Sequence, residues 1–151
     1  WTRRAELALA QGDPALALDI VERLIASAPG MSPGRVIPFL WKLKGEALGA
    51  MGHGEEAQTL LQAAVDSARA TGKRFLLWRL HASLARLYSV VGRQADAARE
   101  SSTAYALVEE LACTLPDGDE RDTFLHRARA IVQGRTLPDT TLEKAEEHEH
   151  R

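Results

Sequence analysis

The stretch GEALGAMGHGEEA, residues 45 to 57, places Gly45, Gly49, Gly52 and Gly54 among good helix formers, the composition of a loop that could cradle a phosphate. Such a loop needs a strand before it and a Lys-Ser or Lys-Thr pair after it, so that backbone amides and an ammonium group converge on the anion. Neither flanks this stretch, and the glycines read instead as helix punctuation. Gly52 stops a helix, Gly54 is tolerated near a helix start, and Gly45 lets a paired helix approach closely. Gly49 lies inside a helix, where glycine costs about 1 kcal/mol against alanine, and is expected to keep an exposed face open.

The other reactive side chains are scattered. His53 falls in a turn and His81 at a core-like position, neither with a neighbour at metal-binding spacing, so both read as structural. His148 and His150 flank Glu149, and residues two apart do not share a helical face. Cys113 lies near Leu107 and Leu111 and is expected to be buried with them, with no base to activate it as a nucleophile. Glu109 and Glu110, like Asp117 and Asp119, fit solubility and helix capping better than acid-base work. No nucleophile, base and stabilising donor can be assembled. The expectation is a chain that is not an enzyme, with no cofactor and no metal.

Composition narrows the partners. A chain of 151 residues, 45% hydrophobic and 26% charged, is ordinary for one folded unit and excludes wholesale disorder. No apolar run approaches the roughly 18 residues of a membrane span, and no signal-peptide pattern opens the chain. The net charge of -2, with its arginines interleaved among acids, argues against nucleic acid or an anionic membrane as partner. Cys113 is alone, so no intrachain disulfide forms. These features suit a cytoplasmic protein, and the start at Trp1 suits a fragment of a longer one.

The elements that must position any site follow from a repeat. Gly12, Gly52 and Gly92 recur every 40 residues, Ala17, Ala57 and Ala97 follow each glycine by five, and Trp1, Trp41 and His81 precede each by eleven. Between these marks the apolar spacing is helical. Phe39, Leu40, Leu43, Ala47, Leu48 and Met51 form one stripe; Ala57, Leu60, Leu61, Ala64, Val65 and Ala68 form the next. In QGDPALAL, Gly12 closes a helix, Asp13 caps the following one and Pro14 takes its first position. Helices are predicted at about 2–11, 14–28, 36–51, 54–71, 74–91, 94–114 and 119–133. The fold class is all-α, an α-solenoid of three helical hairpins plus a C-terminal capping helix. The repeats span about 1–35, 36–73 and 74–115, the cap 117–134, and a polar tail 135–151.

The series Trp41, Gly45, Leu48, Gly52, Ala57, Leu61 and Ala64 resembles the tetratricopeptide repeat signature. His81, Ala85, Tyr88, Gly92, Ala97, Ser101 and Ala104 repeat the pattern with His for Trp and Ser for the second large apolar residue. Trp1, Ala5, Ala8, Gly12, Ala17, Val21 and Leu24 match it less fully, with Pro29 where the family's terminal proline stands. The period is 40 against the family's usual 34, and six more residues add about 9 Å of helix. Such long repeats resemble arrays in bacterial signal-transduction ATPases, LuxR-type regulators and multidomain cyclases. There the array acts as a sensor or docking segment beside catalytic or DNA-binding domains. A fourth copy would need Gly and Ala where Val132 and Leu137 stand, so the repeat stops. Phe124, Leu125, Ala128, Ile131 and Val132 then form the apolar stripe of the cap, with Arg121, Arg127 and Arg129 elsewhere.

Stacked hairpins expose a concave wall made mainly by the first helix of each pair. On those helices the core pattern leaves Arg3, Glu6, Phe39, Lys42, Glu46, Arg79, Ala82, Arg86 and Ser89 outward, a mixed-charge floor with one large apolar residue, suited to a peptide or a partner's helix. The bland alternative is a solvated face with pairs such as Lys42 with Glu46. Glu46 stands where family members that grip a terminal carboxylate carry Asn, which argues against that clamp. The expected role is a protein-interaction or sensory scaffold within a larger bacterial signalling or transcription regulator, its partner a protein, a peptide or other domains of the same polypeptide. Self-association as a homodimer and small-molecule sensing are the alternatives.

Overall fold

The computed structural model describes residues 1–28 and 37–134; Pro29 and the tail from Arg135, with His148 and His150, lie outside the described residues. Among the described residues the chain forms seven helices and no strand: α1 Thr2–Ala10, α2 Pro14–Ser27, α3 Pro38–Ala50, α4 Gly54–Ala70, α5 Arg74–Val90, α6 Gln94–Ala112 and α7 Asp119–Val132.

Helix ends follow from local chemistry. The Asp13 side chain accepts a hydrogen bond from the Leu16 amide at 3.1 Å, with Pro14 at the first helical position of α2. At the α3–α4 turn Gly52 adopts φ 86°, a left-handed conformation that a Cβ would disfavour, which lets the His53 amide bond back to the Leu48 carbonyl at 2.9 Å. The same closing bond recurs at Asp13, Lys73 and Arg93, at 2.8 to 2.9 Å. The Lys73 bond closes a turn at Gly72, between α4 and α5, that the 40-residue recurrence of Gly12, Gly52 and Gly92 does not announce. One turn geometry therefore serves within the hairpins and between the second and third.

Packing follows the spacing of small residues. Ala5, Ala17, Ala47, Ala57, Ala64 and Ala104 have no exposed surface, so the helix axes draw together at these points. Large side chains fill the layers between: Leu43 is enclosed with Val21 and Ile20, Leu61, Leu80 and Leu84 lie in the central cluster, and Val108 lies under α7. Each such leucine contributes roughly 1.5–3 kcal/mol by leaving water.

Each helix packs on the next in sequence, and α1 also touches α3, α3 touches α5 and α5 touches α7, whereas among the described residues α2, α4 and α6 do not touch one another. Contact on one side only makes the stack curve, with α1, α3, α5 and α7 on the inner, concave side. The arrangement is that of an α-solenoid. α7 takes the inner place beside α5, laying Phe124, Leu125, Ala128, Ile131 and Val132 against Trp78, Ala82, Ala104, Val108 and Leu111. Phe124 meets Trp78 and Phe75 edge-on, with ring centroids 6.3 and 6.5 Å apart.

Candidate interaction site on the concave wall

The inner wall is not one continuous floor. Its best-formed hollow, about 330 Å³, lies where α3 meets α5, lined by Gly45, Glu46, Gly49 and Ala50 of α3, Ser83, Arg86, Leu87 and Val90 of α5, Leu9 of α1 and Leu61 of α4. On α3 the hollow is lined by glycine and alanine beside Glu46. Counting by the 40-residue register, Gly49 stands where the flanking hairpins carry Leu9 and Ser89, and Ala50 where the third carries Val90. A Cβ at Gly45 would fall 2.7 Å from the Cγ of Leu61, so that glycine is needed for the α3–α4 approach; one at Gly49 would lie 3.1 Å from Leu87 Cδ1, at the edge of what the leucine can yield.

The rim is polar and cross-linked. Glu46 Oε1 accepts from Lys42 Nζ at 2.7 Å, one helical turn earlier, and stands 2.6 Å from Ser83 Oγ on α5. The Ser83 hydroxyl is also 3.0 Å from the Arg79 carbonyl, but with one proton to give it favours the carboxylate, the stronger acceptor. Burial would raise the Glu46 pKa; the Lys42 charge, hydrogen bonds from Lys42 and Ser83, and the Arg86 charge outweigh it and hold the carboxyl below its ordinary value of 4.5. Glu46 is thus an ionised bridge between adjacent hairpins. Arg86 makes no salt bridge among the described residues.

Of the nine outward positions expected from the sequence, the structure brings only Glu46 and Arg86 to this hollow, with Lys42 behind them. Arg3 and Glu6 are exposed on α1, outside it. Arg79 stacks over the Trp78 ring at 5.4 Å and faces a separate, open depression against Asp119, Glu120 and Arg127 of α7. Ser89 is exposed toward a third depression, with Gln94, Tyr105 and the end of α7. Two positions need correction. Ala82 is buried, 4% exposed, because the cap covers the inner side of α5 where a following hairpin's first helix would lie. Phe39 is half-buried, since its ring packs on the Ala5, Ile20, Val21 and Leu43 cluster rather than standing free.

Other reactive groups fall outside the wall. Cys113 is exposed, contrary to expectation: it follows Leu111 by two residues, about 200° round the helix, and caps α6 rather than extending its buried stripe. His53 is an exposed N-cap of α4. His81 is buried, with Nδ1 2.5 Å from Glu100 Oε2 of α6, and its Nε2 has no hydrogen-bond partner among the described residues. Where the second copy has Trp41, the third uses a polar pair to join α5 to α6. Among the described residues no three His, Cys, Asp or Glu side chains gather at metal-binding distance, and no helix is long and apolar enough to cross a membrane.

Sequence reasoning missed Leu9, Ala50, Leu61, Ser83, Leu87 and Val90 as parts of the hollow. Gly49 was the available signal, a glycine retained inside a helix without a capping role. No protein-family model, curated protein or solved structure matches the chain.

Proposed function

We propose that this chain is a tetratricopeptide-like interaction scaffold that binds a peptide or helix of a partner protein on its inner wall, as a cytoplasmic segment of a larger bacterial signalling or transcription regulator. It makes and breaks no bonds; its rigid helices present side chains, and occupancy of the wall shifts the arrangement of attached domains. The observation that supports this most is the hollow between α3 and α5, concave, mostly apolar and edged by a few placed polar groups, the form that recognition sites take. The test is selection of binders from a random peptide library displayed on phage, followed by titration against the Arg86→Glu protein. Enriched peptides are expected to lose affinity for that variant while its helical circular dichroism stays unchanged. No enrichment at all contradicts the reading; equal affinity for both proteins shows that docking does not involve Arg86.

A second reading, self-association, has one observation in its favour. Leu7 is 55% exposed, whereas its register mates Ala47 and Leu87 are 0% and 7% exposed beneath the preceding hairpin, and Leu16 is also exposed. A second copy covering α1 and α2 would bury both leucines. Light scattering over a range of concentrations decides it: a mass that rises toward a dimer, and falls back in Leu7→Glu, supports it, and a constant monomer mass refutes it.

A further inference from the structure

The hollow's own chemistry narrows what it receives. Seven of its ten lining residues are apolar or glycine: Leu9, Leu61, Leu87 and Val90 supply apolar walls, Gly45 and Gly49 add no side chain, and Ala50 adds only a methyl at the rim. Val90 is 75% exposed, a β-branched side chain held in water at the rim. At about 330 Å³ the space lies at the lower end of the roughly 300–1,000 Å³ range of ligand pockets, which suits one large side chain entering with a short piece of its backbone.

The charges decide which side chain's neighbours are welcome. The charge of Glu46 is compensated by Lys42, which bonds its Oε1 together with the Ser83 hydroxyl. A cationic ligand group reaching the free Oε2 would meet a carboxylate whose charge an ammonium 2.7 Å from Oε1 already compensates. Arg86, in contrast, is exposed at the same rim and makes no salt bridge among the described residues. With Lys42 and Glu46 cancelling, the net charge at the mouth is that of Arg86, positive, and its planar guanidinium pairs best with a carboxylate.

We infer that the hollow between α3 and α5 binds a peptide that inserts one large apolar side chain, Leu, Met or Phe, against Gly49 and Ala50 while an adjacent Asp or Glu pairs with Arg86. This deepens the scaffold reading and rests on it. The apolar residue supplies binding free energy by burial, and the acidic neighbour supplies register and excludes basic partners.

The experiment uses fluorescently labelled Ser/Gly-flanked peptides whose two central residues combine Leu, Phe or Ala with Glu, Gln or Lys, titrated by anisotropy against the whole chain. Leu-Glu and Phe-Glu are expected to bind at least about tenfold more tightly than Ala-Glu and than Leu-Lys. Ala50→Leu, at an exposed position on the rim, fills the hollow and is expected to erase the Leu-over-Ala preference with helicity intact. Arg86→Glu is expected to reverse the preference so that Leu-Lys binds better than Leu-Glu. If peptides bind but ignore either exchange, or if Ala50→Leu binds like the unaltered protein, the hollow is not the subsite, although the wall can still be a docking surface. If none of these peptides binds while peptides of other composition selected by display do, the assigned chemistry is wrong and the scaffold reading survives. If no peptide from either source binds, both fall together.

Discussion

The first and third hairpins carry the same marks at the same register, yet they live in different surroundings. Trp1, the N-cap of α1, and Leu7 within it are 73% and 55% exposed, whereas His81 and Leu87, their mates on α5, are 6% and 7% exposed. Residue type does not explain this, since a tryptophan stands in water where a histidine is enclosed. Position in the stack does: among the described residues α5 has neighbours α3, α4, α6 and α7, whereas α1 has α2 and α3. A repeat array distributes burial by neighbours, and a hairpin's contribution to stability depends on what lies on both its sides.

The largest effect expected from that contrast is at the leucine pair. Leu87→Ala empties a packed site and should cost about 2–4 kcal/mol, while Leu7→Ala at the equivalent position should cost less than about 0.5 kcal/mol, both read by urea denaturation. Similar losses at the two positions would mean that α1 is covered in solution, as by a second copy.

A smaller effect separates the two interior glycines of α3. Gly45→Ala puts a methyl 2.7 Å from Leu61 Cγ, on a fully packed helix pair, and should destabilise by about 1–3 kcal/mol despite alanine's better helix propensity. Gly49→Ala meets Leu87 Cδ1 at 3.1 Å and, at an ordinary contact distance of 3.8 Å, Ala57 Cβ, and should be near neutral or slightly stabilising, because the leucine side chain can yield toward the hollow. Equal penalties at both positions would mean that the hollow is closed in solution.

Next comes a helix end. Asp13→Ala removes the acceptor of the Leu16 amide and should cost about 1 kcal/mol. The same change at Asp19, an exposed residue whose ion pair with Arg23 is open to solvent, should be barely measurable.

The smallest and most specific effect is in pH. Glu46 has a folded-state pKa below 4.5, so its contribution to stability is fully present above about pH 4.5 and is lost as pH falls through the lower folded value. Glu46→Gln should therefore flatten the acid side of the stability profile between these limits. An unchanged slope would show that the α3–α5 bridge carries no proton linkage.

Much of this fold was legible before any coordinates. Helix ends were readable because Gly12, Gly52, Gly92 and Asp13 act through backbone conformation and local hydrogen bonds, which depend on few neighbours. Ala57 and Ala97 were readable because close axes demand small residues at the crossing. What stayed hidden depends on contacts far apart in sequence. Nothing around Ala82 announces that α7 folds back over it, and nothing around His81 announces Glu100 on the next helix. Outward periodicity identifies residues off the core stripe along the whole of α1, α3 and α5, and only the small size of Gly49 and Ala50 in three dimensions concentrates the hollow.

The central claim is that successive hairpins stack with the first helices of each side by side on the inner wall. The most direct measurement is a nuclear Overhauser spectrum of a sample methyl-labelled at leucine. The account predicts a cross-peak between the Gly49 Hα and a Leu87 methyl, protons on α3 and α5 that no local structure brings together. Absence of that cross-peak, with the Gly45 Hα to Leu61 methyl peak present as proof that the α3–α4 hairpin is folded, would contradict the stacking and the hollow built on it.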